Sequence, residues 1–207
     1  MAIEIEKKYR LRPGQVEPLR QRLVSAGAEG EGTAEFEENV IYTGPGLDPG
    51  LRVLRLRRFA KEGGRALFTF KERDLSGSPV KRQREEETEV ADADALAAIL
   101  EALGYRPALV YEKRRETWRL AGTEVVIDEL PFGLFVEIEG DELDILKVEK
   151  LLGLDSDGGV QEPYPALTLR HGTEKDGVVE ARFQGSDTVL SPPGAPPSPD
   201  GSRSEKS

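Results

Sequence analysis

The sequence predicts an α+β fold of about eight strands, rich in antiparallel pairs, with about three flanking helices. Three observations predict it. Most of the chain alternates apolar and polar residues with a period of two, the mark of half-buried strands. Only three segments place apolar residues at helical spacing. Each clear strand sets an apolar face against a densely charged one, and the charges are sorted by sign from strand to strand.

The opening run Ile3-Glu4-Ile5-Glu6-Lys7-Lys8-Tyr9 reads as a strand over residues 2–10, with Glu4, Glu6 and Lys8 on one face and Ile3, Ile5 and Tyr9 on the other. Lys7 points away from the Glu4 face. A helix follows over 14–26, where Val16, Leu19, Leu23 and Val24 recur at helical spacing and Gly27 stops it. Strands are expected near 36–42, 51–59, 65–72 and 80–90, with Gly44-Pro45-Gly46 turning the chain between the first two. A second helix spans 92–103, carrying Leu96, Ile99, Leu100 and Leu103 before Gly104. Strands near 109–120, 123–129 and 133–140 precede a third helix over 141–152, ended by Gly153. From about Gly172 the character changes: Pro192, Pro193, Pro196, Pro197 and Pro199 are interleaved with Ser and Gly, and hardly any large apolar residue follows Phe183. The expected organisation is one domain over 1–171 and a disordered tail over 172–207.

Composition narrows the chemistry. With 207 residues and 37% hydrophobic content, the chain can bury one good core. It has no cysteine and one histidine, His171, which excludes disulfides, thiolate zinc sites, a cysteine nucleophile and a multi-histidine metal centre. Any metal must therefore sit on oxygen ligands, which favours hard cations such as magnesium, manganese or calcium. The net charge of -10 argues against a general nucleic-acid binder. No apolar stretch approaches the ~20 residues of a membrane span, and the first residues are too acidic for a secretory signal. A cytoplasmic protein is expected. Residues 51–84 nevertheless hold eleven basic groups against three acids, a basic strip presented to something anionic.

The strand faces say where that strip belongs. Arg55 and Arg57 share a face opposite Leu54 and Leu56; Thr69 and Lys71 oppose Phe68 and Phe70; Lys113 and Arg115 share a face; Glu137 and Glu139 repeat the pattern with carboxylates, and Asp128 closes Val125-Val126-Ile127-Asp128. Carboxylates thus fall on the first and last strands and cations on the middle ones. A sheet curled so that these faces point inward, with helices over the apolar faces, gives a barrel with a polar lumen. Two carboxylates ~5 Å apart repel by about 3 kcal/mol at an effective dielectric near 20. A polyphosphate with a divalent cation would satisfy both sets of charges.

Glu4-x-Glu6-x-Lys8, Leu54-Arg55-Leu56-Arg57, Phe68-Thr69-Phe70-Lys71, the run Arg82 to Val90, Glu112-Lys113-Arg114-Arg115-Glu116-Thr117-Trp118 and Phe132 to Glu139 together resemble, in order, the CYTH superfamily, or triphosphate tunnel metalloenzymes. The resemblance spans residues 1 to about 170. It implies an eight-stranded antiparallel tunnel that binds a triphosphate with Mg2+ or Mn2+, and a repertoire of class IV adenylate cyclase, thiamine triphosphatase and inorganic triphosphatase. Glu4, Glu6, Glu137 and Glu139 then look like metal ligands, with Asp128 a further acid and Glu87 another candidate. Lys8, Arg55, Arg57, Lys71, Lys113 and Arg115 look like triphosphate contacts, and Glu4, Glu6 and Lys8 like the catalytic group. The implied partner is a small-molecule triphosphate, with no nucleic acid and no membrane, for a monomer or homodimer.

Two places depart from the family pattern. Arg82 and Arg84 have one parity and Glu85, Glu87 and Glu89 the other, so Arg84 and Glu87 both face inward only with a bulge; Arg84 is expected among the substrate contacts. In Gln161-Glu162-Pro163-Tyr164, similar to the family's closing Ser-Tyr segment, Pro163 replaces the serine. His171 reads as a solvated side chain and Trp118 as strand packing. Arg52, Arg58 and Arg73 read as surface charge. Divalent-metal-dependent hydrolysis of the triphosphate is the expected activity, with cyclisation of ATP as the alternative and binding of polyphosphate or nucleotide without turnover as the third.

Overall fold

A computed structural model describes residues 2–30, 32–60, 64–73, 81–155 and 158–185. Eight antiparallel strands form the closed barrel: β1 (Ala2–Leu11), β3 (Glu35–Thr43), β4 (Arg52–Phe59), β5 (Ala66–Arg73), β6 (Lys81–Val90), β7 (Arg106–Leu120), β8 (Thr123–Leu130) and β9 (Gly133–Glu139). They pair in the order β7-β3-β4-β5-β6-β1-β9-β8, and β8 returns to β7 to close the ring. The eight strands and three helices expected from periodicity are all present. Among the described residues there are also a two-residue strand β2 (Glu29–Gly30), a fourth helix and a C-terminal hairpin.

The helices cover the apolar outer faces, and that covering turns the charges inward. Helices α1 (Val16–Ser25) and α3 (Glu142–Leu151) pack Leu19, Leu23, Ile145 and Val148 onto Tyr9, Leu11, Val125, Ile127, Val136 and Ile138. Helix α2 (Ala93–Ala102) packs Ala97 and Leu100 onto Val40, Leu54 and Leu56. The Asp92 carboxylate caps α2, accepting from the backbone N–H groups of Asp94 and Ala95. Each buried leucine or isoleucine is worth roughly 1.5–3 kcal/mol. Strand alternation obliges the residue next to each of these to face the lumen. Lys7, on the outer parity, reaches Glu149 of α3 at 2.7 Å, and Trp118 packs in the core beneath α1 and α3. At Gly30 a Cβ would stand 2.7 Å from the Trp118 ring, so glycine is required for β2 to approach β7.

The C-terminal part departs from expectation. Residues 164–171 form helix α4 (Tyr164–His171), and the first part of the expected tail forms a hairpin, β10 (Thr173–Lys175) and β11 (Val178–Ala181). Strand β11 runs parallel to β7 at Leu109–Tyr111, covering an edge that β8 leaves open. Beyond it Arg182 donates to Glu38 at 2.7 Å and to Glu112 at 3.1 Å, and the Phe183 N–H donates to Glu112 at 2.7 Å. Glu38 and Glu112 are directly opposite each other in the ladder and buried. Two like charges in that position repel, so Arg182 joins 173–183 to the domain. Composition alone hid this because the attachment combines three backbone pairings to β7 with the contacts of Arg182 and Phe183, none of which needs a long apolar run. Residues 186–207, also expected to be disordered, lie outside the described residues. His171 is exposed, as expected, and stacks on Phe132.

Candidate active site

The lumen holds a cavity of about 390 Å³, within the range of small-molecule sites. Glu4, Glu6, Lys8, Arg55, Arg57, Lys71, Lys113, Arg115, Glu137 and Glu139 all line it, and so does Glu87. These residues come from six strands separated by up to 135 positions in sequence. Parity within each strand is what brought them to one face.

Two of the expected contacts are placed differently. Strand β6 pairs with β5 from Ala66/Val90 to Arg73/Gln83 without a bulge, so Gln83, Glu85 and Glu87 face the lumen and Arg84 faces solvent, where it meets Glu86 at 3.2 Å. Arg84 therefore does not line the cavity: an unbroken ladder cannot turn both parities inward. Asp128 is fully buried behind the cavity wall. Its two oxygens accept from Arg115 at 2.8 and 2.6 Å and from the Tyr164 hydroxyl at 2.9 Å, and Lys113 lies 3.6 Å away. With its lone pairs turned to these donors, Asp128 is a counter-ion to the cations. The reading of Arg73 also changes, because it lines the cavity. Arg58 is outward but buried, paired with Asp94 at 2.6 Å at the start of α2.

On the acidic side, three carboxylates stand in one cross-strand row. Glu6 is opposite Glu139, and Glu139 is opposite Glu124, all facing the cavity. Opposed side chains of this kind have Cβ atoms ≈ 4.5–5.5 Å apart, and like charges there repel. Burial and then the neighbouring Glu4 carboxylate push the Glu139 carboxyl up to about 7; Glu124 and Glu6 add to this against Lys71. Glu4 is held by Lys71 at 2.6 Å, which also meets Glu85 at 3.0 Å. Glu137 meets Lys8 at 3.2 Å and Arg115 at 2.7 Å.

The cationic side has its own acid, Glu37, which the sequence reading missed. Buried at 2% exposure, it meets Lys113 at 3.2 Å and Arg57 at 3.4 Å, and accepts from the Asn39 amide at 3.3 Å. Burial alone would raise its carboxyl, but Lys113, Arg57, Arg115 and Arg55 together hold it well below the usual carboxylate range. Burial and the nearby Arg115 push the Lys113 ammonium down to about 8, against the opposing pull of Asp128 and Glu37. Parity would have found Glu37, which shares a face with Asn39 and Ile41, and Glu124, which shares one with Asp128. The adjacent acids Glu35 to Glu38 obscured the alternation in the first case.

An oxygen-ligated divalent cation fits the acidic row by donor chemistry. Carboxylates suit hard cations, and burial together with the neighbouring Glu4, Glu124 and Glu6 carboxylates disfavours the charged form of Glu139, a cost that a bound cation would offset. Among the described residues no three acids converge into a ready-made cage. Binding would draw Glu4 and Glu137 away from their lysine and arginine partners. Because a protonated carboxyl must release its proton to bind a cation, Mn2+ affinity should rise about tenfold per pH unit below 7 and level off above it. Calorimetric titration between pH 5.5 and 8.5 measures this, and Glu139→Gln should flatten the profile.

A closed barrel that turns its charge inward and its apolar faces outward is a charged-lumen tunnel. The chain belongs to the CYTH domain family, whose model matches residues 2–154. No curated protein matches the sequence. Among solved structures, the PH1819 protein of Pyrococcus horikoshii OT3 is 26% identical with a TM-score of 0.67, over 81% of this chain and 98% of that one. A Vibrio parahaemolyticus protein described as a candidate adenylate cyclase is 20% identical, with a TM-score of 0.66 over 80% of this chain and 97% of its own. A Hippeastrum protein described as a candidate adenylyl cyclase with a dominant triphosphatase activity is 19% identical, with a TM-score of 0.54 over 74% of this chain and 85% of its own. The last two share the fold. Among the described residues no helix is long and apolar enough to cross a membrane.

Proposed function

We propose that this protein is a cytoplasmic triphosphatase that hydrolyses a small-molecule triphosphate in its tunnel with Mg2+ or Mn2+. The observation that carries the reading is the division of one cavity. The row Glu6, Glu139 and Glu124 shares the space with the cations Lys8, Arg55, Arg57, Lys71, Lys113 and Arg115. Family membership supports divalent-metal chemistry in general. Arg55 and Arg57 suit phosphate oxygens bidentately, and the lysines act as compact point charges.

Glu4, Glu6, Glu137 and Glu139 would hold the cation, with Glu124 beside them. The cation would supply Lewis-acid stabilisation of the charge that builds on the phosphate oxygens. The chain's own residues do the rest. Arg55 and Arg57 offset charge on the transferred phosphoryl group, while the barrel wall keeps the phosphates oriented and limits access of bulk water. A water oxygen forms the new bond to the terminal phosphorus as the bridging P–O bond breaks. Orthophosphate and the diphosphate product leave.

Hydrolysis is favoured over cyclisation by the other part of the lining. Alongside Tyr111, its uncharged part includes Ile41, Pro49, Gly50, Leu51, Val53, Pro163 and Pro165, whose side chains offer nothing to read the hydrogen-bonding edge of a base, while the Gln83 amide is turned to Glu4 and the Tyr164 hydroxyl to Asp128. The test is incubation of purified protein with tripolyphosphate, thiamine triphosphate and ATP, each with Mg2+ or Mn2+, followed by assay of orthophosphate, pyrophosphate and cyclic AMP. Orthophosphate release is the expected result. Cyclic AMP with pyrophosphate would replace the reading by a cyclase, and tight binding with no product would replace it by a binding module.

A further inference from the structure

Family matching ends at residue 154, yet the chain beyond it takes hold of Lys8. The Val160 N–H donates to the Lys8 carbonyl at 2.7 Å, next to the bridge between Tyr9 and Gly159. The Lys8 ammonium donates to the Glu162 carbonyl at 3.2 Å and sits 4.0 Å from the centre of the Tyr164 ring. Both the backbone and the charged end of Lys8 are thus set by a segment far away in sequence.

Tyr164 also closes a cycle of contacts. Lys8 meets Glu137 at 3.2 Å, Glu137 meets Arg115 at 2.7 Å, and Arg115 meets Asp128 at 2.8 and 2.6 Å. Asp128 accepts from the Tyr164 hydroxyl at 2.9 Å, and the Tyr164 ring returns to Lys8. Every member of the cycle except Arg115 is buried as a residue. The ring face of Tyr164 is fixed by edge-on packing against Phe135, with centroids 5.4 Å apart. Prolines on either side restrict its backbone.

We propose that Tyr164 is a positioning residue of the tunnel, setting Lys8 through its ring and Arg115 through its hydroxyl and Asp128. The proposal rests on the triphosphatase reading above, and it links α4 to two cations on different walls of the tunnel. A cation held over a ring face is attracted by the ring quadrupole. A hydroxyl that donates to a carboxylate fixes the oxygen that the guanidinium must meet.

Two variants separate the two contributions. Tyr164→Phe keeps the ring and removes the hydrogen bond, and it should lower kcat about tenfold, the low end for residues that orient a ligating or catalytic group. KM should change little, and Tm should fall by a few degrees because a buried carboxylate loses one donor. Tyr164→Leu removes both. In a double-mutant cycle, Lys8→Gln should then cost at least about threefold less in the Tyr164→Leu background than in wild type, because Lys8 has already lost its position. Effects of Tyr164→Leu and Lys8→Gln that simply multiply would overturn the proposal, as would a Tyr164→Phe variant with wild-type kcat. Running the cycle on tripolyphosphate binding with Mn2+ as well separates this proposal from the reading beneath it. Coupling in binding without any turnover sinks the triphosphatase and leaves the positioning role. Turnover without coupling does the reverse, and absence of both binding and turnover overturns both.

Discussion

Replacing Glu6 by Gln should lower kcat for triphosphate hydrolysis by about 10²–10³-fold, with KM within about threefold of wild type. The magnitude is that of removing one group aimed at the charge of the transition state. Glu6 is buried in the lumen and faces Glu139 across the ladder. The substitution keeps shape and hydrogen-bonding capacity but removes the charge that a divalent cation requires. Substrate affinity is expected to survive because the phosphate contacts come from Lys8, Arg55, Arg57 and their neighbours on other strands. Folding stability gives an independent reading: removing one of three carboxylates in a row relieves repulsion, so metal-free Tm should stay level or rise. Steady-state kinetics with Mn2+ and a thermal melt in chelator check both parts. Wild-type turnover in Glu6→Gln would remove Glu6 from the metal set.

Replacing Asp128 by Ala should destabilise the fold by roughly 3–5 kcal/mol, the cost of leaving a buried charge without its partner. Asp128 has no exposed surface. It holds Arg115 by two hydrogen bonds, meets Lys113 and accepts from Tyr164. Its loss leaves Arg115 with Glu137 and Lys113 with Glu37, so two cations keep half of their compensation in a space with little water. At about 2–4 °C per kcal/mol for a chain of this size, Tm should fall by some 6–20 °C. Urea unfolding with an unchanged m-value would assign the loss to the native state. A shift below about 1 kcal/mol would show that water enters and solvates the pair, and would return Asp128 to the list of candidate metal ligands. The two experiments differ in kind: Glu6 is expected to matter for turnover, and Asp128 for keeping the cations in place.

Most of the lumen was legible because strand alternation is a local rule. Glu4, Glu6 and Lys8 share a face whatever the strand pairs with, and the same holds for Arg55 with Arg57 and Glu137 with Glu139. Glu37 and Glu124 obeyed the rule but were missed amid adjacent acids and apolar residues. Arg84 needed a bulge to reach the lumen, and the unbroken β5–β6 ladder excludes one. Helix α4 was invisible for a different reason. It is eight residues long and has prolines at its start, and its buried side chains, Tyr164, Leu167 and Thr168, do not make a simple apolar stripe. Its burial comes from the barrel end it covers.

By itself the sequence determined which side chains share a face within each strand, that any metal would be held by oxygen, and that three apolar-striped helices would have to cover outward faces. These follow from covalent geometry and composition, which act within a few residues. Only the tertiary structure decided which acid neutralises which cation. Lys8 meets Glu137, Lys113 lies between Glu37 and Asp128, and Tyr164 completes the cycle through Asp128. Those partners lie 76 to 156 positions apart where they involve Lys113 with Glu37 or Tyr164 with Lys8, and no local preference encodes them. They are fixed when the ladder closes and the helices bury the outer faces, because register and burial are properties of all eight strands together.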